Sequence, residues 1–225
     1  MNNTNNKTQN LLRTAGLIAV FATIAVAIGD FLSLYSPDGI DAITYTHLLE
    51  ISETRLKLGY FLGVLCLPFF ILGFWQVYQG LKPAGKWRSL PVLLINTFVI
   101  VIGTVTHGQT ALLALVVQAQ EKVSGEAQAV LAEMFEQFAF YYNPILLVLR
   151  VLTLITTVWF IVAVLSKRSL YPRWVVFFSP WVLLIVLMVP SFISPVIGGY
   201  LIPSAFNIAH TIFFGLSTIL LWEKE

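Results

Sequence analysis

The chain has 225 residues, of which 58% are hydrophobic and only 11% are charged, and its mean hydropathy is +0.84. Because roughly 25% of the residues of a soluble domain are charged, this composition excludes a globular protein with a fully hydrated surface. The net charge of +2 is too small to indicate nucleic acid as a partner, so we expect the lipid bilayer to be the main partner.

Long apolar segments predict an all-α fold, namely a polytopic transmembrane bundle of about six helices. A membrane-spanning helix needs about 20 mostly apolar residues, and the segments that meet this requirement are 12–35, 58–81, 90–117, 141–165, 174–192 and 203–222. Pro180 and Pro190 interrupt the fifth segment, since proline removes a helical hydrogen bond. Residues 1–11 are predicted to be a polar, frayed, cytoplasmic tail, and 12–225 a single six-helix transmembrane domain.

The charges between the spans predict the orientation. Basic residues concentrate before the first span and in two alternate loops: Lys7, Arg13, Lys82, Lys86, Arg88, Lys167, Arg168 and Arg173. Most acidic residues lie in the other loops: Asp38, Asp41, Glu50, Glu53, Glu121, Glu126, Glu133 and Glu136. The positive-inside rule therefore places both termini in the cytoplasm.

The outer loops also carry structure of their own. Apolar residues recur at helical spacing in 121–138, at Ala127, Val130, Leu131, Met134 and Phe138. This pattern is typical of an amphipathic helix that lies on the outer interface of the membrane, and a second such helix is predicted in 41–57. The uncharged loop 191–203 is predicted to fold back over the bundle, and His47 is expected to be solvated.

Ionisable residues inside spans are costly and usually face the bundle interior. Here they are Asp30, His107, Arg150 and His210, and their positions along the spans place all four in the outer half of the membrane. At 1.5 Å per residue, Arg150 and His210 lie roughly 10 Å below the outer helix ends. We predict a polar, ligand-binding pocket in the outer half that is formed by Asp30, Arg55, His107, Arg150, Asn207 and His210.

The same residues also allow other interpretations. Asp30 and Arg150 can neutralise each other as a structural pair, and His107 and His210 can form hydrogen bonds between helices. A metal site made of His107, His210 and Asp30 is a further hypothesis, because catalytic zinc takes three protein ligands and a water. Haem ligation by the two histidines is another. The step of Gly59 and Gly63 predicts close helix packing.

Several longer motifs are shared with a known group of proteins. They are Gly29-Asp30, ETRLKLG at 53–59, LGFWQVYQGLKPAG at 72–85, YPRW at 171–174 and GGYLIPSAFN at 198–207. With these motifs the chain resembles an uncharacterised family of bacterial six-helix membrane proteins, a domain of unknown function. The resemblance spans most of the chain, implies the cell inner membrane, and implies no reaction or cofactor. The resemblance also implies that five residues are typical of the group, namely Asp30, Arg55, Pro172, Arg173 and Asn207.

The residues support three hypotheses about function. The first is binding of a lipid or small amphiphile in the outer pocket, where Arg150 would hold an acidic head group. The second is a membrane-embedded metal-assisted hydrolase or haem redox protein that uses His107 and His210. The third is a transporter or a structural subunit, in which polar residues only link helices. No catalytic residue and no cofactor is assigned.

Overall fold

The computed structural model of the protein describes residues 2–37, 39–41 and 44–222. All regular secondary structure in these residues is helical, which confirms the all-α prediction. The α-helices are α1 (Asn2–Leu34), α2 (Glu53–Cys66), α3 (Phe70–Leu81), α4 (Lys86–Gln120), α5 (Glu126–Leu165), α6 (Pro180–Ile193), α7 (Pro195–Leu201) and α8 (Ala205–Leu221). Because α1 begins at Asn2, the predicted frayed tail is instead continuous with the first helix.

Within the described residues, five helical segments are long and apolar enough to cross a membrane. They are Lys7–Leu34, Glu53–Ala84, Lys86–Gln120, Glu126–Leu165 and Val196–Leu221. The second segment joins α2 and α3 through a 3₁₀ turn, Leu67–Phe69, which contains Pro68. Proline has no N–H to donate, so the α-helical hydrogen bonding is interrupted at this point while the chain continues in the same direction.

Between α5 and α8, the chain makes one further passage along the bundle through a shorter helix, α6. The N–H of Leu170 donates to the carbonyl of Gly80 at the end of α3, 2.9 Å away. The Ser204 hydroxyl donates to the carbonyl of Ala27, near the other end of the bundle. The chain between Leu170 and Ser204 therefore runs the length of the bundle, through a 3₁₀ stretch, Arg173–Phe178, and the 14-residue α6. The predicted fifth span is thus irregular at its start.

The first turns of α1 and the end of α8 lie at the same end of the bundle. The side chains of Gln9 and Arg13 in α1 donate to the carbonyl of Trp222, at 2.7 and 2.7–3.0 Å. The Arg13 guanidinium also lies 4.9 Å from the centroid of the Trp222 ring. An even number of passages requires this arrangement. We call this end, which carries the basic loops, the basic end, and the opposite end, which carries Asp41, Glu50, Glu53 and Glu126, the acidic end.

The predicted interfacial helix at 121–138 is wrong in its placement. The residues from Glu126 onward are helical, but they are the first turns of the 40-residue helix α5, which is continuous with a span. At 1.5 Å per residue α5 is about 60 Å long, and it pairs with the 35-residue α4 as a hairpin that extends past the end of α1. Phe135 and Phe138 pack inward, whereas Val130 and Met134 are exposed.

Residues 44–52 cap the acidic end of the bundle and do not form the second predicted interfacial helix. They contain only a 3₁₀ turn, Thr46–Leu48, while 42–43 and the predicted loop acid Asp38 lie outside the described residues. The Gln118 amide of α4 donates to the carbonyls of Leu48 and Ile51, at 2.8 and 2.7 Å. His47 is 6% exposed, so the expectation that it is solvated is wrong.

The uncharged segment 191–203 folds back over the acidic end, as predicted. It contains α7, and its Tyr200 ring packs against the rings of Tyr35 and Phe31 at the end of α1. Centroid distances are 4.9 Å to Tyr35 and 6.4 Å to Phe31. The segment therefore packs against the end of α1 that carries Asp30.

A buried glutamine links three helices toward the basic end. Gln76 of α3 is 1% exposed and donates through Nε2 to the carbonyl of Leu12 in α1, at 3.0 Å. Its Oε1 accepts from the hydroxyls of Ser217 and Thr218 in α8, at 3.1 and 3.3 Å. A polar group that is buried among apolar helices is stabilising only when such partners are present.

We expect Gln76→Leu to lower the free energy of unfolding by about 1–2 kcal/mol, because it removes three interhelical hydrogen bonds at similar side-chain volume. Thermal unfolding of the purified protein in detergent measures the change. Gln128→Leu, at an exposed position of α5, is the control. Equal melting temperatures for the two variants would show that the Gln76 hydrogen bonds do not stabilise the bundle.

The buried His47 makes stability depend on pH. Burial lowers the pKa of His47 and outweighs the opposite effects of the Asp41 backbone and of the Asp41 carboxylate. Because the folded pKa lies below the ordinary value of about 6.5, the unfolded chain binds more protons in this range, and stability falls as pH decreases below about 6.5. His47→Gln should melt with a smaller difference between about pH 7.5 and about pH 5.5. An unchanged difference would contradict this assignment.

Candidate functional site

A cavity of about 570 Å³ lies inside the bundle, toward the acidic end. Its wall is formed by α1, α4, α5, α6, α8 and the turns next to α3 and α8. The polar side chains that line it are those of Asp30, Thr106, His107, Thr110, Tyr142, Arg150, Trp181 and Asn207. Most of the remaining wall is apolar, and the volume falls in the range of about 300–1,000 Å³ that is typical of ligand pockets.

Asp30 is the centre of the polar network in this cavity. Its Oδ1 lies 3.1 Å from Nδ1 of His107, and its Oδ2 accepts a hydrogen bond from the Asn207 amide. Since these side chains come from α1, α4 and α8, the network links three helices. The predicted pairing of Asp30 with Arg150 is therefore wrong, because the partner of the carboxylate is His107.

His107 is held from both sides of its ring. Nε2 lies 3.0 Å from the carbonyl of Gly59 in α2. The ring occupies the space next to Gly63, where any β-carbon on residue 63 would overlap its atoms. A β-carbon on Gly59 would likewise meet the Ser33 hydroxyl. The prediction that the two glycines serve packing is confirmed, and Gly63 specifically makes room for the histidine.

The hydrogen-bond partners of His107 define its chemistry. A backbone carbonyl can only accept, so Nε2 must carry a proton and donate it to Gly59. Nδ1 then shares a second proton with the Asp30 carboxylate, and the Asp30–His107 pair has a net charge of zero whichever of them holds that proton. Neither ring nitrogen of His107 has a free lone pair for a metal ion or for general-base catalysis.

Arg150 lines the cavity from α5 and is exposed. Over residues 2–37, 39–41 and 44–222, its guanidinium forms no ion pair and no hydrogen bond. Trp181, the second residue of α6, also lines the cavity, and its buried Nε1–H has no hydrogen-bond partner among the described residues. Two donor groups of the residues that line the cavity therefore have no hydrogen-bond acceptor among the described residues.

Sequence reasoning overlooked several of these groups. Trp181 lies within an apolar span, and only its tertiary surroundings leave its N–H without a partner. Tyr142 had the pattern of a membrane-interface aromatic, but it is 8% exposed and its hydroxyl lies 2.9 Å from that of Thr110. A possible signal was its spacing of eight residues from Arg150, which keeps both on roughly one helix face.

His210 does not line the cavity, contrary to prediction. It is 1% exposed, its Nδ1 lies 2.8 Å from the carbonyl of Phe206 in its own helix, and its ring is surrounded by those of Phe70, Phe74, Phe206 and Phe214. Among the described residues, no three His, Cys, Asp or Glu side chains are grouped as metal ligands. His107, His210 and Asp30 therefore do not form the predicted metal site.

Arg55 lies outside the cavity and caps α1. Its Nε donates to the carbonyl of Leu32 at 3.0 Å, and its Nη2 donates to the carbonyl of Tyr35 at 2.8 Å. The last carbonyls of a helix have no partners within the helix and carry partial negative charge, so a cation is favourable there. The ligand-binding role predicted for Arg55 is thus replaced by a structural one.

The fold and the cavity together define a multi-pass membrane protein with an internal polar pocket. The chain belongs to a family of unknown function, DUF6796, whose model matches residues 1–224. The resemblance to a family of unknown function is thereby confirmed over essentially the whole chain. No curated protein and no solved structure matches the chain at a significant level.

The contact between Gly63 and His107 yields a stability prediction. Gly63→Ala should destabilise the protein by about 1–3 kcal/mol, because the added methyl group overlaps the imidazole and forces helices apart. Gly103→Ala is the control, since a β-carbon there would meet Leu149 at an ordinary 3.5 Å. Adding His107→Ala to Gly63→Ala should recover part of the loss in a double-mutant cycle. Purely additive effects would contradict the proposed overlap.

Proposed function

We propose that the protein binds an anionic lipid or small amphiphile in the cavity. The observation that carries this proposal is that two donors without partners among the described residues, the Arg150 guanidinium and the Trp181 indole N–H, belong to side chains that line the cavity. The Trp181 N–H is buried without an acceptor, which is unfavourable, and the exposed Arg150 guanidinium has no counter-charge among the described residues. A ligand with an anionic, oxygen-rich head group matches both.

The charge of the cavity favours a negative head group. Asp30 is the one carboxylate among the described side chains that line the cavity, and His107 already neutralises it. Arg150 therefore contributes an uncompensated positive charge. Its planar guanidinium can donate two parallel hydrogen bonds to a carboxylate or a phosphate, so an acidic head group is the best match.

The rest of the cavity is suited to an apolar tail. Leu146 and Leu149 of α5 and Leu184 and Met188 of α6 line it, and methionine adapts to irregular shapes. The cavity volume of about 570 Å³ lies within the range of about 300–1,000 Å³ that is typical of small-molecule pockets. This is the size of a single-chain amphiphile with a compact acidic head.

The alternative functions receive less support. Both ring nitrogens of His107 are engaged and His210 is enclosed by phenylalanines, which argues against a metal-assisted hydrolase and against haem ligation by the two histidines. A purely structural role accounts for Asp30, His107 and Asn207, but not for Arg150 and Trp181.

We also infer, from the positive-inside rule, that the basic end faces the cytoplasm, which places the cavity in the outer half of a cytoplasmic membrane.

Binding of a long-chain fatty acid, compared with the fatty alcohol of equal length, tests the proposal in purified protein. The acid should bind at least about tenfold more tightly, because only a carboxylate pairs with Arg150. Arg150→Gln should abolish this preference, and Trp181→Phe should weaken binding of both compounds a few-fold. Native mass spectrometry of gently extracted protein would identify a retained natural ligand.

Arg168→Gln is the matched control, because Arg168 is an exposed arginine at the basic end, beyond the end of α5 and not among the residues that line the cavity. It should bind the acid as the unmodified protein does. Equal affinity for acid and alcohol, or an acid preference that survives Arg150→Gln, would refute the assignment of Arg150 as the anion-binding residue.

A further inference from the structure

Buried apolar side chains pack at both ends of the cavity. Toward the acidic end, Tyr142 and Leu146 line the cavity and also pack in a cluster with residues of 44–52. Toward the basic end, Val26 and Leu67 line the cavity and also belong to the main buried cluster of the bundle. A ligand that arrives along the bundle axis must displace one of these clusters, whereas a ligand that arrives between two helices need not.

The helices around the cavity are joined in different ways. The Thr156 hydroxyl of α5 donates to the Asn96 side chain of α4 at 3.2 Å, and the Asp30 network links α1, α4 and α8. In the part of the chain that the structure describes, no hydrogen bond, ion pair or aromatic contact joins α5 to α6. The side of the cavity between α5 and α6 is therefore held by apolar packing alone.

Arg150 is turned toward this side of the cavity. The preceding residue, Leu149, faces α4, since a β-carbon on Gly103 would lie 3.5 Å from its Cδ1. Because successive residues of a helix differ by about 100°, Arg150 points away from α4. Its neighbours on the helix surface, Leu147 and Leu154, are 61% and 44% exposed. Arg150 therefore lies at the boundary between the cavity-lining side and the outward side of α5.

Helix α6 has a corresponding boundary. Trp181, Leu184 and Met188 line the cavity at helical spacing. Ile185 lies four residues after Trp181 and three before Met188, so it is next to both on the helix surface, and it is 59% exposed. Val189, four residues further on, is 50% exposed. The outward neighbours of the cavity-lining residues are thus apolar on both helices.

We propose that the cavity opens sideways to the bilayer between α5 and α6, and that its ligand is an anionic phospholipid that enters there. We call this opening the lateral mouth; it is bordered by Leu147, Leu154, Ile185 and Val189. The choice of an anionic lipid rests on the proposed binding of an anion by Arg150. The lipid phosphate pairs with Arg150 at the mouth, one acyl chain occupies the cavity, and the other chain stays in the bilayer.

Two physical arguments favour a membrane lipid over an amphiphile that arrives from water. The border of the mouth is apolar and belongs to helices that run along the bundle, so contact with acyl chains is favourable there. A charged side chain within the membrane is costly without a partner, and Arg150 has no counter-charge among the described residues. A lipid phosphate supplies that counter-charge and can accept two parallel hydrogen bonds from the guanidinium.

The direction of the opening is tested on the full chain in lipid nanodiscs with a nitroxide label at position 150. Cys66 is the one cysteine of the sequence, so Arg150→Cys in a Cys66→Ser background carries a single label. Oxygen dissolves in the bilayer and a nickel chelate stays in water, so collisions with each report which medium reaches the label. We expect oxygen to dominate at position 150, as at Val158→Cys, and the nickel chelate to dominate at Gln128→Cys.

A larger side chain at the mouth should obstruct this access. Ile185→Trp should lower the oxygen collision rate of the label at position 150. Val186→Trp is the matched control, because Ile185 and Val186 are both 59% exposed and differ by about 100° in direction. Equal effects of the two substitutions would contradict an opening beside Ile185.

The occupant is tested by the fluorescence of Trp181 in nanodiscs that contain phosphatidylglycerol or phosphatidylcholine with identical brominated chains. Bromine quenches the indoles that it touches, and the contribution of Trp181 is the difference between the unmodified protein and Trp181→Phe. Phosphatidylglycerol should quench this contribution more strongly, because the ammonium of phosphatidylcholine competes with Arg150 for the phosphate. Arg150→Gln should abolish the difference between the two lipids.

A label at position 150 that collides mainly with the nickel chelate would overturn the lateral mouth, and any ligand would then enter from water. Equal quenching of Trp181 by the two lipids would overturn the phospholipid assignment. If the preference for the free fatty acid over the alcohol nevertheless persists, anion binding by Arg150 stands without this proposal. If that preference is absent as well, both proposals fail.

Discussion

The need to neutralise one carboxylate inside an apolar bundle organises the acidic half of this protein. Asp30 takes His107 and Asn207 as partners, and thereby fixes the rotation of α1, α4 and α8 relative to one another. The histidine can reach the carboxylate only because Gly63 leaves room for its ring. The Gly59 carbonyl then accepts the remaining N–H. A packing motif and a polar network are thus parts of one arrangement.

This arrangement has a direct consequence for Arg150. Had Asp30 paired with Arg150, the two charges would neutralise each other, and the cavity would have no free positive charge to bind an anionic ligand. Because the carboxylate is already engaged, the guanidinium keeps its charge without a partner in the described part of the chain. Together with the indole N–H of Trp181, it gives the cavity an excess of donors, which is the physical basis of the proposed anion binding.

Helix α4 has two different surroundings on its two faces. One face presents His107 to the polar cavity, and the next residue, Gly108, lies in a mainly apolar groove between α2 and α4. Consecutive residues of a helix point in different directions, so adjacent positions can serve distinct sites. The extension of α4 and α5 beyond α1 gives residues 44–52 a surface to pack against at the acidic end.

The sequence by itself determined the helical class and the location of Asp30, His107 and Arg150 toward one end of the bundle, because hydropathy and position along a helix are local properties. The tertiary structure alone decided which of these groups meet. His210 lies at a similar depth yet faces a cluster of phenylalanines, Arg55 turns to the end of α1, and 126–138 continues a span. Such outcomes depend on the rotation of each helix about its axis, which is set by side chains packing between helices and is encoded in no single segment.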